Sequence, residues 1–289
     1  MKIHLVDGTY ELFRNHFGAP PKKSESGMEV GATLGLLRSL LMLLQSPEVT
    51  HVGVAFDHVI ESFRNDLYAG YKTSEGVDPI LLAQFPLAEK AVDALGVIVW
   101  PMVEFEADDA IATATARLKK NKSVEQVIIC SVDKDLTQMV DGKRVVCWDR
   151  RREIVIDEEG VVEKFGVKPE SIPDYLALVG DSADGYPGIQ GWGAKSTSTV
   201  LAKFKHIESI PKDPKKLPLG LGRATTLLEN LGQNYKDALL FRELSTLRED
   251  VPLKENLKDL KWQGAYPRLK KLCQELRDER IPERIPRWR

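Results

Sequence analysis

Short apolar runs alternate with longer amphipathic stretches along the first half of the chain. Ile3–Val6, Val52–Phe56, Val97–Trp100 and Val127–Cys130 are each nearly continuous in aliphatic or aromatic residues. Such runs predict strands buried on both faces, the pattern of a parallel sheet. Arg144–Trp148 reads as one more. Between them, Thr33–Gln45 is apolar nearly all round and predicts a buried helix. Leu81–Leu95 alternates apolar and charged residues at helical spacing. Ala107–Lys120 starts with Asp108 and Asp109 and ends with Arg117, Lys119 and Lys120, charges that suit the helix dipole at both ends. Strands alternating with helices predict an α/β domain with a parallel sheet.

Past Lys168 the texture changes. Pro169–Val179 predicts a helix with Pro early and Gly180 at its end. A Gly- and Asp-rich loop follows from Asp181 to Gly193, then a helix over Ala194–Phe204. Pro211–Gly222 is rich in Pro, Gly and Lys and predicts a surface loop. Leu227–Leu247 and Tyr266–Arg280 read as helical, and no strand pattern is visible past Ile156. The expected organisation is an α/β core over residues 1–167 and a smaller all-helical domain over 168–289.

Composition narrows the class. Of 289 residues, 43% are hydrophobic and 29% charged, which fits a globular protein and excludes a disordered or collagen-like chain. The longest apolar run, Leu40–Leu44, is far short of the ~18 residues that span a bilayer. Asp7 comes too early for the core of a signal peptide. Cys130, Cys147 and Cys273 form no CxxC pair, so neither a disulfide framework nor a zinc cluster is expected, and a reducing cytoplasm is the simpler setting. A formal charge of −2 argues against a uniformly basic nucleic-acid binder.

The distribution of charge says more. Asp7 directly follows the first strand and Asp57 the second. Glu106, Asp108 and Asp109 lie beyond the third, where a helix begins, and Asp133 and Asp135 lie beyond the fourth. Asp181 and Asp184 add a pair from the helical part. Open parallel sheets bind ligands outside the carboxyl ends of their strands, so these acids are expected on one rim. Any one of them can be a turn former or a helix cap. Capping gives no reason to gather all of them. Gathered carboxylates repel and raise one another's pKa values, which bound cations offset. All-oxygen ligands favour Mg²⁺ or Mn²⁺ over zinc. Without those nine acids the formal charge of −2 becomes +7, and residues 268–289 hold eight Lys/Arg against four Asp/Glu. An acidic, metal-bearing pocket in a basic body suits a phosphodiester substrate.

Leu5-Val6-Asp7-Gly8, Phe56-Asp57, Glu106-Ala107-Asp108-Asp109, Asp133-Lys134-Asp135 and Gly180-Asp181-Ser182-Ala183-Asp184 occur in this order. Together they resemble the 5′→3′ exonuclease and flap endonuclease family, which includes the N-terminal nuclease domain of bacterial DNA polymerase I. Phe63-Arg64, Tyr71-Lys72 and the stretch from Pro169 through Pro187-Gly188-Ile189-Gln190-Gly191-Trp192-Gly193-Ala194-Lys195 extend the likeness over roughly residues 3–205, and the chain length suits the nuclease alone. The resemblance implies a PIN-like parallel-sheet nuclease core with a helical arch near residues 58–95. It also implies a helical DNA-binding domain with a helix-hairpin-helix near 180–205. The implied activity is structure-specific 5′ nuclease cleavage of DNA by a two-metal mechanism, in replication or repair. The implied substrates are free 5′ ends, flaps or nicks, and RNA primers as well. The protein is expected to act as a cytoplasmic, bacterial-type monomer with no membrane partner.

The resemblance also assigns roles. Asp7, Asp57, Glu106 and Asp108 would serve mainly one Mg²⁺ or Mn²⁺ ion. Asp133, Asp135 and Asp181 would serve the other, with Asp109 and Asp184 nearby or acting through water. Two such ions clamp the attacking and leaving oxygens of an in-line displacement. Arg14, Arg64 and Lys72 match positions that contact substrate phosphates, and Tyr71 one that stacks on a base or packs on the arch. Gly188, Gly191, Gly193 and Lys195 match the hairpin, whose backbone N–H groups approach phosphates and which in relatives often holds K⁺. Trp192 replaces a small apolar residue of the family and is expected to pack beneath the hairpin. Gly185 replaces a common Asn. Glu75 replaces a common Arg, and residues 58–95 hold only three Lys/Arg against six Asp/Glu. Other readings fit less well. A haloacid-dehalogenase-like phosphatase needs an Asp where Leu5 stands, and a Walker A loop needs Lys directly after Gly193. A non-catalytic DNA-binding relative predicts lost carboxylates, and a PIN-type ribonuclease predicts no helical hairpin domain.

Overall fold

The computed structural model describes all residues, Met1–Arg289. In chain order the elements begin β1 (Lys2–Asp7), α1 (Gly8–Gly18), α2 (Gly31–Leu44), β2 (His51–Asp57), α3 (Phe63–Leu67), α4 (Pro79–Leu82), α5 (Phe85–Ala94), β3 (Ile98–Met102), α6 (Ala107–Leu118) and β4 (Gln126–Cys130). They continue with β5 (Val145–Asp149), β6 (Ile154–Ile156), α7 (Glu158–Phe165), α8 (Ile172–Val179), α9 (Ala194–Phe204), α10 (Leu221–Gln233), α11 (Tyr235–Ser245), α12 (Arg268–Glu275) and α13 (Arg280–Glu283). The chain divides into two compact units. One comprises residues 1–60, 74–131 and 249–289, the other residues 61–73 and 132–248.

The first unit is built on a parallel sheet in the order β3-β2-β1-β4. Every residue of β2 is buried, as its apolar run predicts. The register sets Asp7 beside Ala55 and Asp57 beside Met102, so both aspartates end their strands on the same rim. The expected helix over 81–95 is two helices. Pro86 fits only the first turn of a helix, and α5 restarts there, with Gln84 as its N-cap. Gln84 is fully buried, and its Oε1 accepts from the backbone N–H of Thr33 at 3.1 Å and the Thr33 hydroxyl at 3.2 Å. The amphipathic face of α5 (Phe85, Ala88, Ala91, Val92) is buried and packs toward α2 and β3. The stretch expected as an arch near 58–95 therefore ends in a core helix, while α3 belongs to the second unit.

Residues 249–289, expected in the helical domain, fold with the first unit. Their apolar and hydrogen-bonding anchors explain this. The backbone N–H of Val52 donates to Leu260 O at 2.9 Å, and that of Trp262 donates to Thr50 O at 2.9 Å. The Trp262 indole N–H donates to Leu95 O at 2.9 Å. Arg117 donates to the carbonyls of Leu253 and Val251 at 2.8 and 2.7 Å, and the Trp100 indole donates to Glu255 at 2.9 Å. The expected helix over 266–280 stops early, with Arg277 at φ +57°.

In the second unit β5 and β6 form an antiparallel hairpin, with Cys147 opposite Ile156 and Asp149 opposite Ile154. β6 and α7 carry too short a pattern to be read from sequence alone. The α7 helix begins at Asp157, whose side chain accepts from Gly160 N–H, and ends at Gly166 in the left-handed region. The apolar helix α8 packs on α9 and α11. The single helix expected over 227–247 is α10 and α11, which meet at Asn234.

Candidate metal centre

The carboxylates of the first unit are tied into helix starts. Asp7 N-caps α1, its Oδ1 accepting from Tyr10 N–H at 2.8 Å, while its Oδ2 accepts from the Ser131 hydroxyl at 2.8 Å. Asp57 Oδ1 accepts from Ala107 N–H, the first residue of α6, at 2.7 Å. The Asp57 backbone N–H donates to the Thr9 hydroxyl at 2.8 Å. Glu106 is the N-cap of α6, and Asp109 Oδ2 accepts from the Glu106 N–H at 3.0 Å. Asp7 and Asp57 thus lie at the carboxyl ends of β1 and β2, and the bond from Ala107 N–H to Asp57 brings the start of α6, with Glu106, Asp108 and Asp109, to the end of β2. Asp7, Asp57, Glu106 and Asp109 are buried and Asp108 is half-buried. The capping reading is realised at Asp7, Asp57, Glu106 and Asp109, whose side chains bond helix-start N–H groups.

The second unit carries a tighter cluster. One carboxylate oxygen each from Asp135, Asp181 and Asp184 lies within 4.8 Å of the others. Asp135 and Asp181 are buried, and Asp184 is half-buried. Asp133 is exposed, and its Oδ1 accepts from Asp135 N–H at 3.0 Å. Burial, followed by the charges of Asp133, Asp184 and Asp181, holds the Asp135 carboxyl well above the usual carboxylate range. Its Oδ1 is buried with no hydrogen-bond partner. An orphaned, buried carboxylate oxygen facing two more carboxylates fits a hard divalent cation. Tyr186 is buried in the same unit and stacks on Phe241 at 22°. Burial, then the charges of Asp135, Asp184 and Asp181, raises its phenol pKa.

Two lysines meet this cluster. Lys72 Nζ lies 3.4 Å from Asp184 Oδ1, and the Lys72 backbone N–H donates to Asp184 O at 3.0 Å. Lys134 Nζ lies 2.6 Å from Asp181 Oδ2. Burial lowers the Lys134 pKa, but its hydrogen bond to Asp181 and the charges of Asp181, Asp135 and Asp133 outweigh that, so the net shift is upward.

The expected phosphate contacts are partly redirected. Arg64 is only 1% exposed; its Nε donates to Leu244 O at 2.7 Å and its Nη2 to Thr246 O at 3.2 Å, with Phe63 beneath the guanidinium. That arginine is committed to holding α3 in the unit rather than offered to solvent. Arg14 pairs with the buried Glu11 and donates to Ser39 Oγ at 3.2 Å. Tyr71 is buried, so it packs rather than presenting a stacking face. Glu75 is exposed.

The hairpin is close-packed backbone against backbone. Gly188 has φ +72°, and a Cβ there would lie 2.4 Å from Gly180 N. Gly185 has φ +87°, and a Cβ would lie 2.2 Å from Gly70 O, so the family's Asn could not be accommodated without a shift. Gly191 and Gly193 are exposed, and a Cβ at Gly193 would meet nothing within 4 Å. Gly193 begins α9 without a side-chain cap, and Lys195 is exposed one residue inside it. Trp192 is buried, and its indole N–H donates to Leu227 O at 3.0 Å. Sequence reasoning missed Glu11, Ser131 and Lys134. Glu11 stands three residues before Arg14, on the same helix face, and the other two lie beside or inside the Asp133-Lys134-Asp135 motif.

No helix of the chain is long and apolar enough to cross a membrane. Comparison with known proteins identifies the architecture. The 5′-3′ exonuclease N-terminal resolvase-like domain matches residues 2–166, and the 5′-3′ exonuclease C-terminal SAM fold matches residues 167–268. A 5′-3′ exonuclease of Aquifex aeolicus is 34% identical over 278 residues, covering 96% of this chain and 91% of that protein. DNA polymerase I of Bacillus caldotenax is 32% identical over 267 residues, which is 91% of this chain and 30% of the polymerase. A crystal structure of a bacteriophage T5 flap endonuclease with DNA and metal ions shares the fold at TM-score 0.68 and 18% identity, covering 98% of this chain and all of that one. A parallel sheet with acids at its strand ends, a helical unit with a glycine hairpin and these matches along nearly the whole chain agree: the protein belongs to the 5′-3′ exonuclease family.

Proposed function

We propose that the protein is a divalent-metal-dependent, structure-specific 5′ nuclease that hydrolyses DNA phosphodiesters, acting both as a 5′→3′ exonuclease and as a flap endonuclease. The observation that carries this reading is the Asp135–Asp181–Asp184 cluster, three carboxylates within 4.8 Å that include a buried oxygen without a partner. Family membership supplies the reaction class.

Under this reading Asp133, Asp135 and Asp181 hold one Mg²⁺ or Mn²⁺ ion, with Asp184 beside them. Asp7, Asp57, Glu106 and Asp108 hold another, and Asp109 fixes the helix start that presents Glu106. When bound, such ions polarise the scissile phosphate and increase the acidity of water. The chain's own residues bind and orient. Asp7 and Asp57 are held by Tyr10, Ser131 and Ala107, so their carboxylates need little reorganisation. Lys72 is held at Asp184 and is positioned to meet a phosphate oxygen once that pair opens. Arg14 is held by Glu11 and Ser39. The Gly188–Gly193 loop and the uncapped start of α9, with Lys195, offer backbone N–H groups and positive potential to duplex phosphates. K⁺ on that loop is part of the same reading. The substrates are DNA with free 5′ ends, flaps or nicks, and RNA primers, taken by a monomer.

The test is cleavage of end-labelled flap, nicked, gapped, single-stranded and RNA-primed substrates in Mg²⁺, in Mn²⁺ and in excess chelator. Cleavage at the flap junction with a 5′-phosphate on the released strand is expected in either metal, and none in chelator. Full cleavage in chelator would overturn the metal mechanism. Tight binding of flaps with no cleavage in either metal would identify a non-catalytic DNA-binding protein.

A further inference from the structure

Lys134 stands between two of the acids assigned to the metal cluster in sequence, and it reaches a third in space. Its Nζ is 2.6 Å from Asp181 Oδ2, while Asp181 Oδ1 already accepts from Ala183 N–H at 2.9 Å. Both oxygens of a carboxylate that is only 2% exposed are therefore occupied. The lysine differs from its target: about a third of its side chain, 36%, is exposed. Its flexible stem can carry the ammonium out into water, whereas Asp181 cannot follow.

Three carboxylates this close repel strongly in a dry environment unless a cation sits among them. Lys134 supplies that charge without a bound ion. An ammonium at 2.6 Å and a Mg²⁺ ion at the ~2.1 Å such ions demand would repel each other at near contact on the same oxygen, so each weakens the hold of the other. Lys72, which pairs with the less buried Asp184, makes a longer contact and is fastened there by its backbone as well. Lys134 has no such second tie to Asp181.

We propose that Lys134 is a tethered counter-ion of the triad. It neutralises Asp181 while the site holds no divalent ion, and it swings away when one binds. The two cations compete for one carboxylate, so Lys134 sets the metal affinity of the site and keeps the metal-free cluster folded. This inference rests on the reading of Asp135, Asp181 and Asp184 as metal ligands.

The experiment is a Mn²⁺ titration of the full chain without DNA, with free Mn²⁺ followed by electron paramagnetic resonance. Thermal melts in chelator and in saturating Mn²⁺ accompany it. Wild type, Lys134→Met, Lys134→Gln, Lys134→Arg and Asp135→Asn are compared. Asp135→Asn marks which binding step belongs to the triad. At that step Lys134→Met and Lys134→Gln are expected to bind Mn²⁺ about tenfold more tightly than wild type, since a competing positive charge is gone. Both are expected to melt below wild type in chelator, with the gap closing in saturating Mn²⁺. Lys134→Arg keeps the charge and is expected to stay near wild type in both measurements. An unchanged or weaker affinity in both neutral variants, with an Asp135-dependent step present in wild type, would overturn the proposal and leave the metal reading intact. A wild type without any Asp135-dependent step would overturn the metal reading, and this inference with it.

Discussion

The two acidic regions of the molecule solve the problem of like charge differently. In the first unit three carboxylates are placed by hydrogen bonds: Asp7 to Tyr10 and Ser131, Asp57 to Ala107, Asp109 to Glu106. Helix starts carry partial positive charge, so part of the repulsion is offset by the fold itself. In the second unit Asp135 has a buried oxygen with no donor, and its neighbours are Asp133, Asp181 and Asp184. Here the fold adds lysines to the local bonds that Asp133 and Asp181 accept. The first set is structural before it is chemical. The second is held in a state that a bound cation relieves.

The sharpest way to break this contrast is to remove one acid from each set. Asp135→Asn is expected to lower the cleavage rate of a saturating flap substrate by about a hundred- to a thousandfold, the scale seen when one preorganised group at the reacting centre is lost. DNA binding should persist, because the exposed basic residues are untouched. In the metal-free protein the same variant should be more stable than wild type at neutral pH. The reason is the raised pKa of Asp135: ionising it in the fold is unfavourable, and Asn never ionises. The advantage is fully developed above the folded pKa of Asp135. It shrinks as pH falls through that value and vanishes below the ordinary aspartate range, where both side chains are neutral. Melting curves in chelator from pH 3 to 8 would check the sign, and an advantage that grows toward acid would contradict it.

Asp109→Ala should behave in the opposite way. It removes an acceptor for the Glu106 N–H at the start of α6, and loss of such a cap costs about 1 kcal/mol. The loss should be visible in denaturant melts with or without metal, whereas Asp135→Asn should stabilise only without it. If Asp109→Ala also stabilised the metal-free protein, the two sets would be electrostatically alike and the contrast would fail.

The smallest effect concerns an exposed charge outside both sets. Glu75→Arg is expected to lower the apparent KM for flap substrates a few-fold at low salt, equivalent to less than about 1 kcal/mol, and to lose the effect as salt rises. Steady-state kinetics at two salt concentrations would measure it. No change at low salt would mean that this side chain lies off the path of the 5′ strand.

Much of the site was legible because strand-end acids and glycines occupy fixed places in the sequence. Asp7 and Asp57 close apolar runs, and a run buried on both faces has few other places to put a carboxylate. Side-chain commitments were less legible. Arg64 reads as a surface cation, and only tertiary packing reveals two carbonyls waiting for its guanidinium. For Tyr71 both stacking and packing were open in the sequence, and its burial favours packing. Trp192 was readable, because a large apolar side chain between two glycines has to find cover, and it found Leu227 O. Pro86 concealed a helix start inside what looked like one amphipathic run. The assignment of residues 249–289 to the helical part failed because composition cannot tell which of two cores an amphipathic tail will join.

That last segment has a consequence for synthesis. β1 to β4 leave the ribosome early, yet Leu260, Trp262 and Arg117's carbonyl acceptors are among the residues that finish their unit, and two of those strands' neighbours, Leu95 and Thr50, wait for Trp262. At roughly 5–20 residues per second, the interval between β3 and this strap is on the order of ten seconds. During that interval the indole edge of Trp100 and the start of β2 are uncovered, and the rim bearing Asp7 and Asp57 rests on an unfinished scaffold. The nascent chain therefore cannot complete its first-made unit until residues 249–262 are translated, so closure of the rim that bears Asp7 and Asp57 waits for synthesis of the whole second unit.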